Sequence, residues 1–361
     1  MRPPVEWPCE VPGAMKKVND IQSFHRAQRR LLLVIILVLL FISCRALAQQ
    51  CQQDSDIDPA THTALVNSSQ LYLQMAARGD VATLKQNAIA SLAGNFGAIQ
   101  QAVTGNQANL TGPATVQHVY LLDASTETGT IANAQFFCGV FGAYGNTANS
   151  ASFQIPNLPA GKYALVMQSV TSSTGPFSFS LVLQNVAGQW KIAGLYVHAS
   201  MAGGHDSQWF LARARDFKQK DQLLASWLYY YMAWNLEAPV NFMSTLVLDR
   251  ISSEMQGVHP PDLPGTNPVT LTSPQGTYTL TEIFPLVDNG KLDLIVKYSV
   301  PDLSDNVKLY HSNLDVMQAL LAKHPELRDA FDQIVARAVA PDGSDFGTAM
   351  DMKDVKSPGM Q

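Results

Sequence analysis

FSFSLVLQNVAGQWKIAGLYVHA, residues 177–199, is written in period two. Phe177, Phe179, Leu181 and Leu183 alternate with smaller or polar neighbours, which marks a strand with one face buried. After the turn residues Ala187, Gly188 and Gln189 a second strand runs through Ile192 to His198. Four further segments upstream carry the same pattern: TVQHVYLLD, AQFFCGVFG, SASFQI and GKYALVMQSV, separated by turns rich in Gly, Pro, Asn and Ser.

Ahead of these strands the periodicity is helical. Asp58 before Pro59 reads as an N-cap with proline in the first turn, and Leu65, Tyr72, Met75 and Ala76 recur on one face. Gly79 ends that helix, Asp80 opens a second, and Asn95 opens a third that stops near Gly105. Helices followed by a run of antiparallel strands is an α+β pattern, with the helices packed on a curved sheet.

The helical segment AARGDVATL followed by a sheet that ends in GQWKIAGLYV resembles the nuclear transport factor two-like superfamily, the cone-shaped fold shared by ketosteroid isomerases and SnoaL-like proteins. The resemblance covers about residues 60–200 and implies a pocket between the concave face of the sheet and the helices. The chain departs from the compact cone in its extra strand material between Tyr144 and Ser180. An immunoglobulin-like sandwich behind a helical cap is the other arrangement these strands allow.

Two strands place a Tyr and a His on one face, His118 with Tyr120 and Tyr196 with His198. If those strands were neighbours, the four side chains would line one polar pocket, with His as acid or base and Tyr as donor, and the two His would titrate as a coupled pair. The bland alternative makes them solvent-facing or interface residues. Asp123, at a strand end, is the sole carboxylate on these strands, so no isomerase base stands out and no catalytic residue is assigned.

Composition changes midway. Seven charged residues fall between Ala60 and Gly204, whereas acids and bases are frequent from His205 onward, which places a boundary at Gly203 and Gly204. Segment 60–204 is the cone-like unit, 205–240 a helical hairpin and 266–355 a second small α+β unit. In the hairpin, Trp227, Tyr230 and Trp234 belong to an aromatic cluster that serves either packing between units or an interaction surface. In the last unit, VTLTS, GTYTLTEIFPLV and KLDLIVKYSV read as strands, and helices are expected at 313–322 and 326–339.

The first 48 residues are read as a cleavable signal peptide. Leu31 to Ile42 is an apolar run of twelve, short of the roughly 20 residues a spanning helix needs. Basic residues precede it and Ala46-Leu47-Ala48 follows; Met15 is a possible true start. Cys44 offers a less favoured reading as a lipoprotein site. The whole chain carries −5; without the seven basic and three acidic residues of the leader the remainder carries −9. That balance excludes nucleic acid as a partner, and no membrane insertion is expected once the leader is gone.

Cys51 and Cys138 are the thiols left in an oxidising compartment; either they pair, or Cys138 is a buried small hydrophobe in AQFFCGVFG and Cys51 sits in a loose tail. No phosphate-binding loop, dinucleotide fingerprint, nucleophile elbow or metal-ligand spacing occurs, so no cofactor or metal is assigned. The expectation is an exported bacterial protein, periplasmic or secreted, that binds a protein or small molecule without catalysis. The alternative is a small-molecule isomerase, dehydratase or hydrolase using the Tyr/His face.

Overall fold

The computed structural model describes residues 50–356, apart from Thr266 and Asn289. The leader, Cys44 and the last five residues lie outside the described residues. Residues Gln49–Gln361 form one compact unit. The architecture is α+β, with open sheets.

The chain starts with β1 (Gln50–Gln53) and the helices α1 (Pro59–Ala77), α2 (Val81–Gln86), α3 (Ala90–Ala93) and α4 (Gly97–Asn106). Asp58 caps α1 by accepting from Ala60 N and Thr61 N, and Asp80 caps α2 by accepting from Thr83 N at 3.1 Å. There follow β2 (Ala114–Asp123), β3 (Thr130–Gly139), β4 (Ser150–Pro159), β5 (Lys162–Ser172), β6 (Gly175–Val186) and β7 (Gln189–Ala199).

These strands divide between two antiparallel sheets. The larger has the order β1-β2-β5-β6-β7. On one of its faces Val166, Val170, Phe179, Leu181, Leu183 and Ile192 bury themselves against Leu65, Leu73, Ile99 and Val103 of α1 and α4. Each such side chain withdrawn from water contributes about 1.5–3 kcal/mol before entropy is counted. The Tyr72 hydroxyl fixes α1 to the sheet by donating to Trp190 O at 2.8 Å.

The short pair β8 (Met201–Ala202) and β9 (His205–Asp206) leads into the hairpin α5 (Ser207–Gln219) and α6 (Leu223–Glu237). Two buried hydroxyls join its helices: Ser207 donates to Ala233 O and Ser226 to Ala214 O. The chain then returns to the first half. β10 (Met243–Thr245) pairs antiparallel with β4 and completes a second sheet of order β10-β4-β3, before α7 (Leu246–Gln256) turns away.

The last sheet contains β11 (Val269–Thr272), β12 (Thr277–Asp288), β13 (Lys291–Ser299), β14 (Gln333–Val339) and β15 (Asp345–Asp351) in that spatial order. β13 and β14 are parallel, and α8 (Asn306–Lys323) with the single turn α9 (Leu327–Ala330) makes the crossover a parallel pair requires. The helix expected at 326–339 is therefore corrected to one turn followed by a strand. Ile334, Ala336 and Ala338 are buried while Val335, Arg337 and Val339 are less so, a period of two hidden in an alanine-containing run.

Cys51 and Cys138 form a disulfide, with Cα atoms 5.0 Å apart and 87 residues between them along the chain. It clasps β1 of the larger sheet to β3 of the smaller. Gly139, next in sequence, takes φ +81°, and a Cβ there would lie 2.1 Å from Asn149 O, so the close approach behind the clasp requires glycine.

Candidate functional site

The helices seal one face of the larger sheet with apolar side chains, and the Tyr and His residues point from the other. Cross-strand register places His118, Met167, Ser180 and Tyr196 in one row. β5 and β6 thus stand between β2 and β7. At roughly 4.8 Å per strand the His118 and Tyr196 backbones are about 14 Å apart, and His198, two residues further along β7, is farther still, so His118 and His198 do not meet. The four residues share a face and not a pocket.

What divides them is the chain just after α6. Glu237 and Pro239 cross above Met167 and border a cleft on each side. One, of about 460 Å³, is lined by Asp54, His118, Tyr120 and residues Thr245 to Leu248. The other, of about 270 Å³, holds His198 with Ser169, Ser178 and Ser200. Tyr196 lies further along, with its ring 5.9 Å from that of Phe242.

The first cleft contains the better-defined polar cluster. Asp54 has φ +43°, a conformation rarely tolerated outside glycine, and two bonds hold it there. Its Oδ1 accepts from Val119 N at 2.8 Å and its Oδ2 faces His118 Nδ1 at 3.1 Å. A carboxylate only accepts, so His118 donates from Nδ1, and in the neutral ring Nε2 is the acceptor. The Tyr120 ring is buried edge-on to Phe153 at 4.9 Å. Burial, helped by the charge of Asp54, pushes its phenol up to about 12.

In the second cleft burial lowers the pKa of His198, and its hydrogen bond to Ala199 O opposes the shift only in part. His198 is thus held toward its neutral form. Burial also raises the phenol of Tyr196.

A third cleft, of about 390 Å³, lies on the outer face of the small sheet and is walled by Trp234, Phe242 and Leu248. Of the aromatic residues expected on the hairpin surface, Trp227 and Trp234 are half-buried, and Trp227 stacks on Tyr231 at 5.5 Å. Tyr230 is corrected: it is fully buried, and its hydroxyl donates to Glu254 Oε2 at 3.0 Å. The reason is that α6 is covered by both α5 and α7, leaving outward only the stripe at 227, 231 and 234.

Asp54, Glu237 and the 241–252 segment were not among the residues singled out in the sequence. Cys51 held a signal for the first, since a bridge to a strand of the small sheet holds its neighbours against the fold. For the last, Thr245 followed by Leu248, Ile251 and Met255 has the cap and spacing of a helix.

Among the described residues, no group of three or more His, Cys, Asp or Glu is arranged to hold a metal ion, and no helix is long and apolar enough to cross a membrane. No family model, no curated protein and no solved structure matches the chain.

Proposed function

We propose that this is an exported binding protein, cut after Ala48 and delivered to the periplasm or the exterior, whose ligand lodges in the clefts beneath and beside the 237–248 segment. A nuclear transport factor two-like ancestry for residues 60–200 is part of the proposal, supported by the order of helices and strands. The observation that carries the binding reading is the division of the polar face. His118 and His198 stand in separate open clefts, while the space between sheet and helices is filled with apolar side chains. Open clefts with mixed linings suit recognition; the concerted proton transfer of an isomerase needs its acid and base on one substrate. The Cys51–Cys138 disulfide supports an oxidising compartment.

Native mass spectrometry of protein purified from its own host is expected to show a chain beginning at Gln49 with a retained molecule or partner. A lipid-modified Cys44 at the terminus would overturn the cleavage site, and a chain that never carries a ligand or partner would overturn binding. The second reading, a small-molecule enzyme, rests on the Asp54–His118 pair. Among the described residues no hydroxyl hydrogen-bonds that His, so the pair has no Ser or Thr side chain to activate as a nucleophile.

A further inference from the structure

The third cleft can be read for the chemistry of its occupant. It lies on the outward face of the small sheet, where register aligns Phe137 with Ser152 and Ser244, and Gln135 with Gln154. The inward face of the same strands presents Phe136, Phe153 and Met243 to a buried core. Aromatic carbon comes from Trp234, Phe242 and Phe137, the last 56% exposed. Amide and hydroxyl groups stand beside these rings, chiefly Gln154 and Asn241, both exposed.

The charges narrow the choice. The carboxylate of Asp249 is already engaged: Ser244 donates to one oxygen, and Asn146 Nδ2 donates to the other at 2.7 Å. A cationic ligand would have to share that carboxylate with those internal donors and, at an exposed side chain, with water, which weakens its pull. No described residue of the lining is Lys or Arg, so an anion meets no counter-charge. A purely apolar ligand would strip water from the amides and return no hydrogen bond. The compatible molecule is neutral, has a carbon face to lie against the rings, and carries groups that both donate and accept, as side-chain amides do.

We infer that this cleft binds a neutral oligosaccharide, through sugar C–H faces on Trp234, Phe242 and Phe137 and sugar hydroxyls on Gln154 and Asn241. A peptide added as a further strand fits less well. β4, at the centre of the small sheet, already pairs on both sides with β3 and β10, so a peptide strand could add only at the outer edge of β3 or β10, away from the face that carries Gln154. This inference rests on the reading of the chain as a binding protein.

The test titrates cellohexaose, maltohexaose and chitohexaose into the purified protein, following tryptophan fluorescence and heat. Saturable binding of at least one is expected. Phe137→Ala and Asn241→Ala change exposed residues and should keep the native circular dichroism while weakening that binding by roughly tenfold, the scale of one aromatic or hydrogen-bonded contact. Lys297→Ala, on the last sheet and outside every cleft described, should leave it unchanged. Failure of all three sugars to saturate, undiminished binding in both cleft variants, or binding of a randomised heptapeptide pool in place of sugar would each overturn the inference. A different molecule retained in the native mass spectrum would sink the saccharide while leaving the binding reading intact.

Discussion

Two five-stranded sheets carry this protein, and they treat their second faces differently. Each seals one face with helices: α1 and α4 on the first sheet, and α5, α6 and α8 in the core that includes the last. On the last sheet the opposite face bears the aligned row Glu282, Lys297 and Arg337. Lys297 Nζ meets Glu282 at 2.8 Å, Arg337 meets Asp345 with two bonds, and Lys291 meets Asp351 at 3.2 Å. Such a face pairs its exposed charges with one another, while Asp293 and Ile295 between them on β13 are buried. The opposite face of the first sheet buries Tyr120, Leu122, Tyr163 and Leu165 against the small sheet, and beyond them the part with His118, Met167, Ser178 and His198 is covered incompletely by the returning 237–248 segment. On the binding reading proposed above, the outer face of the last sheet serves structure and that of the first serves recognition.

The largest expected effect tests the clasp that keeps the recognition face assembled. Cys51→Ser, or reduction of the wild type, removes a bridge between residues 87 apart in sequence, and the chain-entropy model puts the loss at about 4.6 kcal/mol. Urea unfolding with and without reductant measures it. Hydrogen exchange should accelerate first in β1 and β3, which the bridge joins, and later in β13 and β14. Equal acceleration in both sheets would break the comparison, because it would mean that the disulfide supports the two regions alike.

Legibility in the sequence followed the same division. The six strands from β2 to β7 are legible from apolar and β-branched runs between turns; β3 alternates cleanly, burying Ala134, Phe136 and Cys138 and exposing Gln135 and Phe137, whereas β5 buries Tyr163 to Val166 on both faces. β14 was read as helix because its parallel partner and crossover are non-local, and alanine at 336 and 338 is compatible with both periods. The Tyr and His residues were correctly placed on one face by alternation. Alternation says nothing of strand order, however, and β5 and β6 intervene only through tertiary pairing. The 237–248 segment was invisible for a related reason: a cover over a distant sheet has no local period of its own.

Acidity and alkalinity should act on the two regions in opposite directions. In the second half, His324 bonds Asp262 at 2.7 Å and faces Glu326 at 3.4 Å, with Lys323 sharing Asp262. Burial opposes protonation there, but the two carboxylates outweigh it and raise the pKa. A raised pKa gives stability that is full below the unfolded value, near 6.5, and is lost as pH rises through the folded one. His198 is lowered, so its contribution is full above about 6.5 and is lost as pH falls from there toward the folded value. Chemical denaturation across this range should show His324→Gln flattening the alkaline loss and His198→Gln flattening the acid one. Identical pH profiles for the two variants would dissolve the contrast.

The smallest effect belongs to the charged outer face, and its smallness is informative. Lys297 pairs with a Glu282 side chain that is 54% exposed, and its ammonium also lies 5.3 Å from the centre of the Phe284 ring. Solvent screens such a pair and side-chain entropy offsets part of the attraction, so Lys297→Ala should cost about 0.5 kcal/mol. High salt should shrink that cost further, since the Debye length falls to about 3 Å at 1 M. The Arg337–Asp345 pair has better geometry, with bonds of 2.8 and 2.7 Å, and Arg337→Ala should cost somewhat more. Neither change should alter ligand retention, because both lie on the solvated face of the last sheet. A loss of several kcal/mol that persists in salt would mean that this face is a packed interface, and the claim that only the first sheet uses its second face for recognition would fail.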